Sequence, residues 1–139
     1  MASSGAREGF STSNYDSRLL KNSSTGSFES AVLGTEYISP KQHGEIFGEV
    51  LRKYLTIPDQ PAAGATVTFD IGLTINLCIE LKGHVIQGST GRLLPVPFIW
   101  PIMSDTISIV TSIDKSSIEV VTGSTMDHSG GTCWIDYTK

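Results

Sequence analysis

A chain of 139 residues suits one domain, and its 39% hydrophobic content is slightly low for a globular protein. The formal net charge is −4, from ten Lys plus Arg against fourteen Asp plus Glu, and no cationic run occurs anywhere. Binding nucleic acid or anionic lipid through massed phosphate contacts needs clustered cations, so their absence argues against a nucleic-acid-binding role and leaves room for a small local patch at most.

Residues 1–30 hold nine serines and few large apolar side chains, namely Phe10, Tyr15, Leu19, Leu20 and Phe28. Such a segment buries too little apolar surface to offset its ordering entropy, which predicts a disordered arm. Arg7, Arg18 and Lys21 there cancel Glu8, Asp16 and Glu29. The remaining seven cations and eleven anions give residues 31–139 the whole −4. The expected organisation is therefore an arm at 1–30 and a single β-rich domain at 31–139.

Ser39-Pro40-Lys41-Gln42 supplies an N-cap hydroxyl, a proline at the first helical position and a capping-box Gln. Ile46, Phe47, Val50, Leu51, Tyr54 and Leu55 follow at helical spacing, predicting an amphipathic helix over about 40–55. Gly44 and Gly48 oppose it by about 1 kcal/mol each relative to Ala. Ile57-Pro58 ends the element, and residues 59–64 read as a loop.

From Val67 to Leu81 every odd position is large and apolar, and no even one is. Period two means extended chain with one buried face. A fifteen-residue strand spans about 50 Å, far beyond the usual length. Either it bends at Gly72, or two strands meet there. A short strand at 84–87 and a Gly88-Ser89-Thr90-Gly91 hairpin turn come next. Pro95, Pro97 and Pro101 interrupt Leu93 to Ile102, which must then be an edge or an extended crossing rather than a central strand. Ile107, Ile109 and Ile113 alternate, and a turn at 114–117 leads to the hairpin partner Ile118, Val120 and Val121. Asp127 to Gly131 reads as a turn before a last strand at 133–137. The fold class is accordingly α+β but mostly β: a twisted antiparallel sheet or sandwich packed with one amphipathic helix.

Chemistry-bearing residues are scattered. His84, His128, Cys78, Cys133, Asp127 and Asp136 lack any closed ligand spacing, so no metal or other cofactor is expected. Both cysteines read as free thiols, since the absence of a basic-then-apolar leader and of an 18-residue apolar run makes a cytoplasmic, reducing location the expectation. Asp127-His128-Ser129 places triad residue types side by side, where adjacent side chains on a turn cannot form a relay. No catalytic residue is assigned, and the chain is expected not to be an enzyme. The Pro-aromatic stretch at 93–102 is either a core-lining crossing or an exposed ledge with Phe98 and Trp100 as anchors. In the arm, Tyr15, Leu19 and Leu20 could dock on a neighbouring subunit and order only then.

Asn14-Tyr15 in the arm, Pro40 to Tyr54, Phe69-Asp70-Ile71-Gly72-Leu73 and Ser129-Gly130-Gly131-Thr132-Cys133-Trp134-Ile135 follow one another in an order that resembles rhabdovirus matrix proteins. The resemblance lies in the order of elements over most of the chain. It implies a structural, self-associating protein that links nucleocapsid and envelope by subunit contacts. Its partners would be further copies of itself and a nucleocapsid protein, with weak membrane contact because the arm here is neutral. The alternative is a monomeric β-sandwich or barrel that binds a ligand or a protein.

Overall fold

The computed structural model describes residues 19–41, 45–60, 63–100, 105–123 and 126–139. Most of the expected arm, including Tyr15, lies outside the described residues. Its last part is folded: β1 (Leu20–Lys21) and β2 (Phe28–Glu29) form a small antiparallel hairpin. Asn22 bridges to Tyr37, and the Ser23 amide donates to the Glu36 carbonyl at 3.1 Å. The hairpin thereby lies along β3 (Glu36–Ile38).

The predicted helix over 40–55 is not what forms. Glu45–Phe47 makes one 3-10 turn, Gly48 follows at φ +67°, and β4 (Leu51–Ile57) is a strand. Local and tertiary reasons combine. A left-handed residue cannot continue a right-handed helix. Seven residues with Tyr54, Thr56 and Ile57 among them also suit a pleated surface. As a strand, Leu51, Leu55 and Ile57 all reach the core, whereas Ile46 and Phe47 of the supposed apolar stripe are exposed. The hydroxyl expected to cap the helix instead ties β3 to the last strand, with Ser39 Oγ donating to Asp136 Oδ2 at 2.9 Å.

The alternating stretch also divides. β5 (Thr66–Asp70) and β6 (Leu77–Gln87) are separate strands in different sheets, joined by an irregular crossing that contains Gly72 at φ +95°. Ile71 and Ile75 in this crossing are buried as their odd positions require. The pattern then inverts at the start of β6. Register with β11 (His128–Thr138) shifts between Asp136 and Tyr137, so that Cys78 rather than Ile79 stands opposite Tyr137. One extra residue exchanges the two faces. Cys78 consequently packs against the core and Leu77 is exposed, the reverse of strict alternation.

Among the described residues β7 (Leu93–Val96) pairs only with β6, and β8 (Phe98–Trp100) only with β9 (Asp105–Thr111). The proline-rich segment is therefore an edge strand twice, crossing from one sheet to the other at Pro97. β9 and β10 (Ser117–Thr122) form the expected hairpin. The turn at 88–91 closes with the Gly91 amide donating to the Gln87 carbonyl at 2.8 Å. Residues 128–131, expected as a turn, instead begin β11 as an irregular, bulged stretch.

The result is a sandwich. One sheet runs β3-β4-β11-β6-β7, the other β5-β10-β9-β8, and neighbouring strands in both are antiparallel. Leu55, Val85, Cys133 and Ile135 from the first sheet meet Ile107, Ile109, Ile118 and Val120 from the second in one core. At its edge the Tyr137 hydroxyl donates to Glu36 Oε2 at 2.5 Å, and Ser23 Oγ and Lys139 Nζ bind Glu36 Oε1 at 2.6 and 3.1 Å. Burial alone would raise the Glu36 carboxyl, but these three donors outweigh it and hold its pKa below the ordinary value.

Candidate functional site

β4, β11 and β6 lie side by side in the middle of the five-stranded sheet, and their alternate residues point away from the core. Register sets these outward residues in rows. Tyr37, Arg52, Asp136 and Glu80 are successive cross-strand partners, followed by Tyr54, Trp134 and Lys82, then by Thr56, Thr132, His84 and Pro95.

Arg52 organises the first two rows. Its Nε donates to Asp136 Oδ1 at 2.6 Å and its Nη2 to Oδ2 at 2.8 Å, a bidentate pair that is 8% and 0% exposed. Nη1 donates to the Tyr54 hydroxyl at 3.1 Å. The guanidinium carbon lies 5.7 Å from the Tyr54 ring centre and 5.5 Å from that of Trp134. The cation thus binds one carboxylate bidentately and lies over two aromatic rings. Burial would lower the Arg52 pKa, but hydrogen bonding to Asp136 and Tyr54 overrides it and shifts the group up. The cation is permanent, and the two aromatic residues are held in place by it.

A charged margin borders this centre. Lys41 Nζ donates to both Glu80 oxygens at 2.8 and 2.9 Å, and Lys82 Nζ stands 3.5 Å from Glu80 Oε2. Hydrogen bonding from Lys41 is the chief reason that the Glu80 carboxyl is lowered. Trp134 is half-buried, and its indole N–H, itself buried, has no partner among the described residues. At the far end of the same face Ile86 and Leu93 are opposite one another and exposed.

Of the residues expected to carry self-association, the side chains of Leu19, Leu20 and Phe98 are described. Leu19 is 46% exposed, but Leu20 is 6% exposed and packed into the fold. Phe98 points inward against the core, and its neighbour Ile99 is 70% exposed instead. The side chain of Trp100, like Tyr15, lies outside the described residues. Sequence reading missed Arg52, Tyr54, Trp134 and Asp136 as a group. The available signal was two i,i+2 pairs, Arg52-x-Tyr54 and Trp134-x-Asp136, which share a face only if both segments are strands. Assigning residues 52–54 to a helix concealed it.

The remaining chemistry is internal. Cys133 is buried, which pushes its thiol up to about 12, and burial also raises the half-buried Cys78. His128 is 1% exposed, and its Nδ1 accepts from the Gly130 amide at 3.0 Å. Nε2 therefore carries the proton, and it has no partner among the described residues. The His128 backbone bridges to Gln60, whose Nε2 donates to Thr122 Oγ1 at 2.6 Å and to the Ala65 carbonyl at 2.8 Å. The ring thus sits where β11, β10 and the chain entering β5 are tied together.

Desolvation lowers the His128 pKa from 6.5, outweighing the opposite pull of Asp59 and Asp127. The unfolded chain then binds this proton more readily than the folded one. The contribution to stability is fully present above pH 6.5 and is lost as pH falls from there through the folded value. Urea unfolding at stepped pH should show stability falling below that point, with a flatter profile for His128→Gln. An equally steep loss in the variant would refute the assignment to this residue.

No three His, Cys, Asp or Glu residues converge as a metal site among the described residues, and no described helix is long and apolar enough to cross a membrane. No family model, curated protein or solved structure matches this chain.

Proposed function

We propose that this protein is a non-catalytic β-sandwich module that works by contact, recognising a ligand or partner with the outer face of its five-stranded sheet. The observation that carries this reading is the Arg52–Asp136 pair, which fixes Tyr54 and Trp134 on that face. Aromatic rings held rigid lose little conformational entropy on contact, and their flat apolar area is the usual centre of a binding hot spot. Lys82 and His84 are exposed beside the rings and supply polar contacts at the margin.

The test is a thermal-shift screen of the full chain against panels of peptides, nucleotides and saccharides, repeated with Trp134→Ala. Compounds that raise the melting temperature of the parent protein should lose that effect in the variant, because truncating a hot-spot aromatic typically costs about 2 kcal/mol or more of binding. If every stabilising compound acted equally on the variant, this face would not be the binding surface.

A second reading is self-association in the manner of a viral matrix protein that joins nucleocapsid and envelope. It is supported by Ile99, Val110 and Val121, which are exposed together with Ser108 on the outer side of the four-stranded sheet. That reading stands or falls on the oligomeric state in solution.

A further inference from the structure

β5 is an edge of the four-stranded sheet, hydrogen-bonded among the described residues to β10 on one side only. The pairing reveals which main-chain groups point the other way. The Ile71 amide donates to the Ser116 carbonyl at 3.0 Å, and the Thr122 amide donates to the Ala65 carbonyl at 3.3 Å. In an antiparallel ladder, hydrogen-bonded residues alternate with residues whose amide and carbonyl both face outward. With Ser117 opposite Asp70 and Val121 opposite Thr66, the odd residues 65–71 face β10. Thr66, Thr68 and Asp70 therefore aim their N–H and C=O groups at the open edge. Among the described residues no group hydrogen-bonds them there.

Both edges of the five-stranded sheet are blunted. β3 is bordered by Asn22 and Ser23, and β7 carries Pro95. The segment Thr66-Val67-Thr68-Phe69-Asp70 has no proline, no lysine and no bulge, the devices by which natural edges avoid pairing. We infer that the β5 edge is a self-recognition site, pairing antiparallel with β5 of a second copy about a two-fold axis through Thr68.

Register and charge single out this occupant. A two-fold at Thr68 sets Thr68 opposite its own copy and each Thr66 opposite the other chain's Asp70. All three outward residues then exchange N–H···O=C bonds on both chains. Their side chains are exposed on the outer sheet face, so each Thr66 hydroxyl meets a carboxylate across the junction. A two-fold at Val67 would pair Thr66 with Thr68 but leave Asp70 without a partner in the strand, and one at Phe69 would pair Thr68 with Asp70 but leave Thr66 without one. A two-fold at Asp70 would oppose two like charges, and one at Thr66 would leave Asp70 without a partner. The isologous arrangement uses one short strand as its own complement and merges two four-stranded sheets into one continuous sheet. It gives the self-association reading a geometry, and it is independent of the Trp134 face.

The test is sedimentation velocity of the full chain across a dilution series, with three variants. Thr68→Lys places two ammonium groups face to face and should weaken the dimer by about twofold to fivefold. Thr66→Lys adds the same charge opposite Asp70 and should tighten it by roughly threefold to tenfold. Thr68→Pro removes an amide that faces only the open edge, so the sandwich should melt normally while the dimer is lost. Amide exchange at Thr68 should slow with protein concentration, whereas Val67 and Phe69 should be protected throughout. A parent protein that stays monomeric overturns the inference. So do Thr66→Lys and Thr68→Lys variants that shift the dimer in the same direction. Assembly that persists in Thr68→Pro, with the Thr68 amide of the parent protein unprotected at every concentration, would also overturn this pairing, yet leave self-association itself standing.

Discussion

Replacing Arg52 with Ala is expected to destabilise the protein by about 3–5 kcal/mol, as breaking a buried ion pair usually does. The reason is what remains behind. Asp136 is fully buried, and without the guanidinium its carboxylate loses two of its hydrogen bonds and the opposite charge beside it. Tyr54 and Trp134 lose the cation between them as well. Thermal unfolding should show a melting temperature lower by about 10 °C or more. Asp136→Ala should cost a similar amount for the mirror reason, an uncompensated cation. The double variant Arg52→Met with Asp136→Leu should recover much of the loss, because removing both charges leaves none stranded. If the double variant were as unstable as the sum of the single ones, the pair would not act as a unit.

Gly131→Ala should be severely destabilising. Gly131 lies in β11 opposite Val85, and a Cβ there would run into the His84 carbonyl oxygen and approach the Val85 Cα to 2.8 Å. Both neighbours are main chain of a strand paired on either side, so neither can swing away. Overpacking of this kind falls at the upper end of its usual range, about 3 kcal/mol or more. The expected observation is a large fall in the urea midpoint, measured beside Gly91→Ala as a comparison. Gly91 sits in a turn with open space around its would-be Cβ, although its positive φ carries a modest strain. A Gly131→Ala protein as stable as Gly91→Ala would mean that this sheet yields where its geometry says it cannot.

The two expectations probe different levels of the molecule. Arg52 and Asp136 are 84 residues apart, and their meeting depends on β4 and β11 pairing in one register. Gly131 is a local requirement created by that pairing, where the strand bulges and the chains draw close. Both belong to the central part of the larger sheet, which makes β11 the strand whose disturbance costs most.

Much of the β architecture could be read from the residues. Alternation placed Ile71, Ile75, Ile107, Ile109, Ile118 and Val120 inside, and all are buried, whereas Ile113, read as continuing the strand of Ile107 and Ile109, lies beyond the end of β9 in the turn and is fully exposed. Pro95 and Pro97 marked an edge because proline cannot donate to a ladder, and the segment is an edge in both sheets. Side-chain period and proline chemistry are local properties, so no partner had to be known. The helix over 40–55 misled for the converse reason. Its capping residues and apolar spacing fit a helix, but Gly48 adopts a left-handed conformation and Leu51–Ile57 gains more as a strand against β11. That advantage is invisible in a short window of sequence, because the partner strand lies far along the chain.

The candidate site was hidden by the same error, since Arg52 and Tyr54 share a face only in extended chain. Composition and period two by themselves determined a mostly β protein with these core positions, because alternate burial follows from the pleat of any strand. Which strand pairs with which, where the bulge at Ile79 exchanges inside for outside, and that Arg52 meets Asp136 between two rings were decided by tertiary structure alone. Those outcomes depend on register between distant segments, and register is settled by the whole sandwich closing around one core.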